Sequence, residues 1–228
     1  MAQTEQFTAG PGNATGRMPA FRAAWPQNDG LAVFDRVYRA VTESAAAGVD
    51  GAPPRHPPAA GLLGVRLAER YAAVLDAAAG GGGPPASWRP LLRSRHHPGI
   101  APAQFALAGI NAHVGYDLPL ALVRVCRDLG CGPAGLEDAF DRVGDVLVGL
   151  EERIRDELAP GPELLLLTDP LTHLLASWSL DRARDAAWST ARILWGLGRL
   201  PQLAAEFTER TDASVGLVGR VLLTPLDR

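Results

Sequence analysis

The chain has 228 residues, 47% hydrophobic and 21% charged, which is typical of a globular protein large enough for one main domain. Its net charge is -3 and all its cations are Arg, which excludes a Schiff-base lysine, a P-loop lysine and a Ser-Lys dyad. No basic run and no run of about 18 apolar residues occurs, so we expect neither a nucleic-acid partner nor a membrane span. The two cysteines, Cys126 and Cys131, are too few for a disulfide framework, so we expect a cytoplasmic protein.

The N-terminal half is predicted to hold an arm and three helices. Residues 1–28 are rich in Gly, Pro, Thr, Asn and Gln and predict a flexible arm, with residues 29–228 as a single domain. A first helix begins at Asp29-Gly30 and ends near Gly48. A second runs from about 59 to 79, before a Gly- and Pro-rich linker. A short third helix follows, with Ser87 as its N-cap.

The central helix is predicted from about Pro102 to Leu129. Gly109 and Gly115 inside it indicate close packing against a neighbour or a break. Pro119 has no N–H to donate to the carbonyl of Gly115, so it predicts a kink just after a polar stretch.

The C-terminal half is also predicted to be helical. A long amphipathic helix spans about 136–158, an apolar segment follows over 163–179, and further helices span about 180–197 and 201–223. Period-2 alternation persists nowhere, which favours helices over strands. The expected fold class is all-α, as a single-domain bundle of about seven helices around a central Pro-kinked helix.

Candidate chemistry concentrates in the apolar stretch 109–122, which carries four polar residues within seven positions. His113 and Asp117 are four apart and share a helical face, where Asp117 could orient His113 as an acid or base. Asn111 and Tyr116 complete the catalytic candidates.

Residues outside this stretch are expected to line the substrate site. Arg124 lies seven positions beyond Asp117, on the same helical stripe. His97 precedes the central helix in a loop and Tyr38 lies on the apolar face of the first helix. Arg184 and Trp188 lie one turn apart on a late helix. The substrate-binding candidates are therefore Tyr38, His97, Arg124, Arg184 and Trp188.

Two other interpretations of His113 and Asp117 stay open. They could ligate one divalent metal together with His96, His97 or His173, as in a metal-dependent hydrolase. Alternatively, they could pin the kinked helix of a non-catalytic binding or scaffold protein. No GxSxG, HExxH or Walker A motif occurs.

The stretch Asn-Ala-His-Val-Gly-Tyr-Asp-Leu-Pro-Leu-Ala-Leu, residues 111–122, resembles the central motif of an actinobacterial family of unknown function, DUF5995. Further pieces in matching order are Asp29-Gly30 through Thr42, Arg70-Tyr71, Trp88, and the Ala-Arg and Ala-Trp pairs at 183–188. The resemblance covers most of the chain from residue 29 and implies an all-α fold, but no reaction. His113-x-x-x-Asp117 is also similar to the helix of zinc-dependent phospholipase C and P1-type nucleases, but this chain lacks their N-terminal ligand and a His directly after Pro119.

The sequence therefore predicts a small-molecule enzyme, hypothetically of secondary metabolism in an actinobacterium-like source. We expect a cofactor-independent His/Asp acid-base pair in an apolar helical pocket, suited to cyclisation, isomerisation, elimination or hydrolysis. The expected partner is an apolar small molecule, and a homodimer stays open.

Overall fold

Helices form every regular element in the part of the chain that the computed structural model describes, which is residues 25–26, 28–46, 57–141, 144 and 178–225. In chain order they are α1 (Gly30–Ala46), α2 (Pro57–Asp76), α3 (Arg89–Ser94), α4 (Pro102–Ala112), α5 (Leu118–Leu129), α6 (Leu180–Gly196) and α7 (Pro201–Leu222). The expected all-α, single-domain bundle is confirmed. None of the described helices is long and apolar enough to cross a membrane.

The α4–α5 pair forms the centre of the bundle. Ala103 to Ala112 of α4 are all buried, which explains the nearly continuous apolar run of this segment. A π-helical turn, His113–Asp117, joins α4 to α5, and the N–H of Leu118 donates to the carbonyl of His113 across it. The helix defect expected beside Pro119 is therefore present, as a widened turn. α5 ends at Gly130, whose φ of 66° lies in the left-handed region that favours glycine.

Four helices pack around this pair. α1 and α7 lie against α4, whereas α2 and α6 lie against α5. Gly109 sits directly beneath the ring of Phe34 from α1, where a Cβ would collide with that ring. A Cβ on Gly115 would lie 3.0 Å from Cγ2 of Val215 on α7. The close packing expected at these two glycines is confirmed, and it brings α1 and α7 against the polar stretch.

The predicted cap at Ser87 is wrong. α3 begins at Arg89 with Trp88 in the N-cap position, and no side chain caps it. The amides of Ala86 and Ser87 instead donate to the carboxylate of Asp212 on α7, at 2.7 and 2.8 Å. Asp212 therefore binds the two amides before Trp88, and Ser87 does not cap the helix.

Several predictions fall outside the described residues. They are the arm up to residue 24, most of the long helix over 136–158, the segment 163–177 and His173. Of the long helix, the structure describes a helical turn over 137–141.

Candidate functional site

Asp117 is the centre of a buried polar cluster. Its side chain is only 1% exposed, and both oxygens accept hydrogen bonds. Oδ1 accepts from Nε of Arg70 at 2.9 Å. Oδ2 accepts from the indole Nε1 of Trp88 at 3.0 Å and lies 3.0 Å from Nδ1 of His113. Beside the imidazole, the carboxylate therefore has two N–H donors, one of them cationic, and its buried oxygens are satisfied.

Three separate segments supply these partners. Arg70 lies on the last turns of α2, Trp88 precedes α3, and His113 opens the π turn that Asp117 closes. Because π turns recur at functional sites, this placement makes the turn the strongest candidate in the described part of the chain. The i,i+4 pair predicted from spacing is therefore present, and it is fixed by two partners from elsewhere.

The geometry at Asp117 determines the tautomer of His113. An ionised carboxylate can only accept hydrogen bonds. We therefore infer that Nδ1 of His113 carries the ring proton and donates a hydrogen bond to Asp117. In the neutral imidazole, Nε2 then has a free lone pair. The side chain of His113 as a whole is 12% exposed, so the imidazole is mostly buried. The arrangement suits a general base.

Aromatic rings surround the imidazole on several sides. The His113 ring centroid lies 5.4 Å from that of Tyr38. It lies between 6.1 and 6.3 Å from the centroids of Phe34, Trp88 and Tyr71. All four pairs have T-shaped geometry. Three of these rings are fully buried, whereas Tyr38 is half-buried and marks the more open side. Of the predicted substrate-binding residues, Tyr38 is the one that contacts His113.

Tyr116 lies against the guanidinium of Arg70, whose Cζ is 5.2 Å from the ring centroid. Burial raises the pKa of Tyr116, the carboxylate of Asp212 raises it further, and the charge of Arg70 opposes both. The phenol therefore stays protonated at neutral pH. A protonated phenol is not a base, so Tyr116 could take part in catalysis only as a donor.

Asn111 has a structural partner. Its Nδ2 donates to the carbonyl of Val215 at 3.0 Å, which ties α4 to α7. Gln104, near the start of α4, makes a second connection of this kind. Its Nε2 donates to the carbonyls of Leu222 and Thr224 at the end of α7, each at 2.8 Å. These two amides hold α7 over the central helix.

The structure places the other predicted residues apart from His113. Nδ1 of His97 accepts from the amide of Gly99 in an exposed loop. Arg124 is 59% exposed and pairs with Asp128 at 3.2 Å. The guanidinium of Arg184 lies 5.3 Å from the ring of Phe140, which Trp188 also contacts. These contacts define a second aromatic cluster and do not include the His113 turn.

The family comparison covers the whole cluster. A family model described as Family of unknown function (DUF5995) matches residues 13–225. The chain belongs to this family. A comparison with curated proteins finds no match, and a comparison with solved structures finds none either. Of the pieces that carried the resemblance to DUF5995, three supply the hydrogen-bond partners of Asp117, namely Arg70, Trp88 and the stretch around His113.

A metal site of the expected kind does not form among the residues described for this DUF5995 chain, since no three His, Cys, Asp or Glu side chains converge there. His113 and Asp117 are already bonded to each other, and His96 lies 3.5 Å from the different carboxylate of Asp29. A metal bound through His113 stays a prediction. Elemental analysis of the purified protein for zinc, iron and manganese tests it.

The cysteines of this DUF5995 chain are both free thiols at the end of α5. Burial raises the pKa of Cys126 to about 12, with a further contribution from Cys131. Cys126 is therefore protonated and unreactive at neutral pH, because the thiolate is the nucleophile. We expect the folded protein at about pH 8 to show one fast-reacting thiol with Ellman's reagent, Cys131, and a second only in denaturant. Two fast thiols in the folded native protein, or one fast thiol in folded Cys131→Ser, would contradict the protected state of Cys126.

Proposed function

We propose that this protein is a small-molecule enzyme in which His113 transfers protons and Asp117 orients it. One observation carries the proposal: Oδ2 of Asp117 lies 3.0 Å from Nδ1 of His113 while Arg70 and Trp88 hold the same carboxylate in place. A carboxylate that is fixed by two further donors cannot swing away from the imidazole. His113 is therefore kept in one orientation and one tautomer, as a general base requires.

The chemistry that follows is proton transfer at Nε2 of His113. In the first step Nε2 accepts a proton from an acidic C–H, a hydroxyl or a water molecule of the substrate complex. The imidazolium that forms is stabilised by the negative charge of Asp117. In the second step it returns the proton to a different atom or to the leaving group. Cyclisation, isomerisation, elimination and hydrolysis all use such a sequence.

The substrate class follows from the surroundings of the imidazole. Phe34, Tyr71 and Trp88 make the interior side apolar, and half-buried Tyr38 lies at the more open side. An apolar small molecule that packs against Tyr38 would bring its acidic group to His113. We further propose a cytoplasmic enzyme that works without a cofactor in the natural-product metabolism of an actinobacterium-like source.

A non-catalytic binding or scaffold role is the second candidate. The observation that favours it is that two of these hydrogen bonds, from Arg70 and from Trp88, join α2 and the start of α3 to the π turn. A cluster that connects three segments stabilises the bundle whether or not a reaction takes place. The two proposals differ in what His113 contributes beyond stability.

The experiment compares native protein with His113→Gln on probes that need only proton transfer. Suitable probes are para-nitrophenyl esters of increasing acyl length and a β,γ-unsaturated cyclohexenone. His97→Gln is the matched control, because it makes the same change on an exposed loop. We expect His113→Gln to lose about 10²–10⁴-fold of any enzymatic acceleration and the control to lose none. Unchanged rates in folded His113→Gln would refute the acid-base proposal, and no acceleration by native protein would favour the scaffold role.

A further inference from the structure

The outer side of α7 carries an apolar stripe with strict heptad spacing. Its positions alternate three and four residues apart, as in a coiled-coil seam. The stripe consists of Leu200, Leu203, Phe207, Arg210, Ser214, Leu217 and Val221. Five of its seven positions are apolar, and it extends the full length of the 22-residue helix, about 33 Å at 1.5 Å per residue.

Phe207 of this stripe is partly buried against the core, but the other apolar positions are exposed, whereas the opposite side of α7 is already packed. Leu203, Leu217 and Val221 are 51%, 55% and 57% exposed. The inward side is used by Gly216, which lies against the carbonyl of Ala86, and by Val215, which contacts Asn111 and Gly115. A row of exposed apolar side chains at coiled-coil spacing marks a surface for another helix.

We propose that the stripe binds the same stripe of a second copy of the chain, with the two α7 helices antiparallel. A two-fold axis near residue 212 places Leu203 opposite Val221 of the other copy, and Phe207 opposite Leu217. The apolar ends of each helix then cover those of its partner. This proposal is independent of the acid-base role of His113.

The polar centre of the stripe determines the orientation. Arg210 and Ser214 occupy the two middle positions, and Arg210 is already paired with Glu206 on its own helix at 2.7 Å. A parallel pair would place Arg210 directly against Arg210, which like-charge repulsion disfavours. The antiparallel pair places Arg210 against Ser214, and each guanidinium keeps its own Glu206 so that the centre carries no net charge.

Light scattering of the native protein over a concentration series tests the pairing. One chain has a mass of 24.1 kDa, and we expect twice that value at high concentration. Leu217→Glu and, separately, Val221→Glu should give the single-chain mass with unchanged helical content, because both side chains are exposed. Val65→Glu is the matched control, since Val65 is 45% exposed on α2, and it should stay a dimer.

Each alternative outcome overturns the proposal. A native protein that is monomeric at every concentration would do so, as would a dimer that survives both α7 variants. If the native protein is a monomer and Leu217→Glu or Val221→Glu lowers its stability, the stripe is covered by another segment of the same chain. Spin labels at Leu203→Cys in a Cys131→Ser background test the orientation. Antiparallel helices separate the two labelled sites by about 27 Å, 18 residues at 1.5 Å each, whereas a distance of about 10 Å would indicate a parallel pair.

Discussion

Asp117→Asn is expected to lower the free energy of unfolding by about 3 kcal/mol, the lower part of the range for breaking a buried ion pair. The substitution removes the negative charge that faces Arg70 and turns one carboxylate oxygen into an N–H donor. Trp88 or Arg70 then faces a donor in place of an acceptor, within a site where Asp117 is 1% exposed. Partial exposure of Arg70, at 30%, keeps the loss from being larger.

Thermal unfolding followed by circular dichroism measures this loss, which should lower the Tm by roughly 6–12 °C for a chain of this size. The chain contains a matched control. Asp128 accepts from Arg66, four residues before Arg70 on the same face of α2, but this pair is more exposed. Asp128→Asn should cost less than about 1 kcal/mol. Equal losses in the two variants would show that the Asp117 cluster does not have the buried character assigned to it.

Gln104→Leu is expected to destabilise the fold by about 3 kcal/mol, because one buried and two partly buried hydrogen bonds to backbone groups are lost together. Oε1 of Gln104 accepts from the amide of Ala101, and its Nε2 donates to the carbonyls of Leu222 and Thr224. The side chain is 0% exposed, so water cannot replace it without rearrangement. The start of α4 and the end of α7 would lose their connection.

Chemical denaturation of Gln104→Leu measures the effect, and the slope of the transition reports whether the C-terminal end of α7 has already opened in the native state. Gln202→Leu makes the same change at an exposed position of α7 and should stay within about 0.5 kcal/mol of native protein. If Gln104→Leu lowers the free energy of unfolding no more than Gln202→Leu does, the hydrogen bonds of Gln104 do not hold α4 and α7 together.

The helices were predictable because their signals are local. Apolar spacing and terminal residues placed α1, α6 and α7 to within two residues at each end, and Pro119 correctly indicated a defect in the central helix. The His113–Asp117 pair was also predictable, since a separation of four residues brings two side chains together on any helix.

The partners of Asp117 were not predictable from local patterns. Arg70 and Trp88 lie 47 and 29 residues away in the chain, and helical periodicity carries no information on which helices meet. Gln104 gave a weaker signal, a single amide in an apolar run. The sequence identified Asp117 as a polar residue in an apolar run that needs a partner. Which residues become its partners depends on tertiary packing.

Arg124 illustrates the limit of a shared stripe. Its guanidinium lies two turns beyond Asp117, is 59% exposed and pairs with Asp128, which also accepts from Arg66 of α2. Equal direction around a helix therefore does not imply equal depth. Asp117 and Asp128, on the same helical stripe as Arg124, both pair with arginines of α2. Asp117 is buried, whereas Asp128 is partly exposed.

The most direct test of the central claim is the tautomer of His113. Long-range ¹H–¹⁵N correlation spectra of protein labelled with ¹⁵N-histidine, recorded at a pH where the imidazole is neutral, distinguish a protonated from an unprotonated ring nitrogen. His113→Gln assigns the His113 signals among the five histidines. We predict a protonated Nδ1 and an unprotonated Nε2, as the bond to Asp117 requires. A protonated Nε2 with a free Nδ1 would contradict the claim that Asp117 presents His113 as a base.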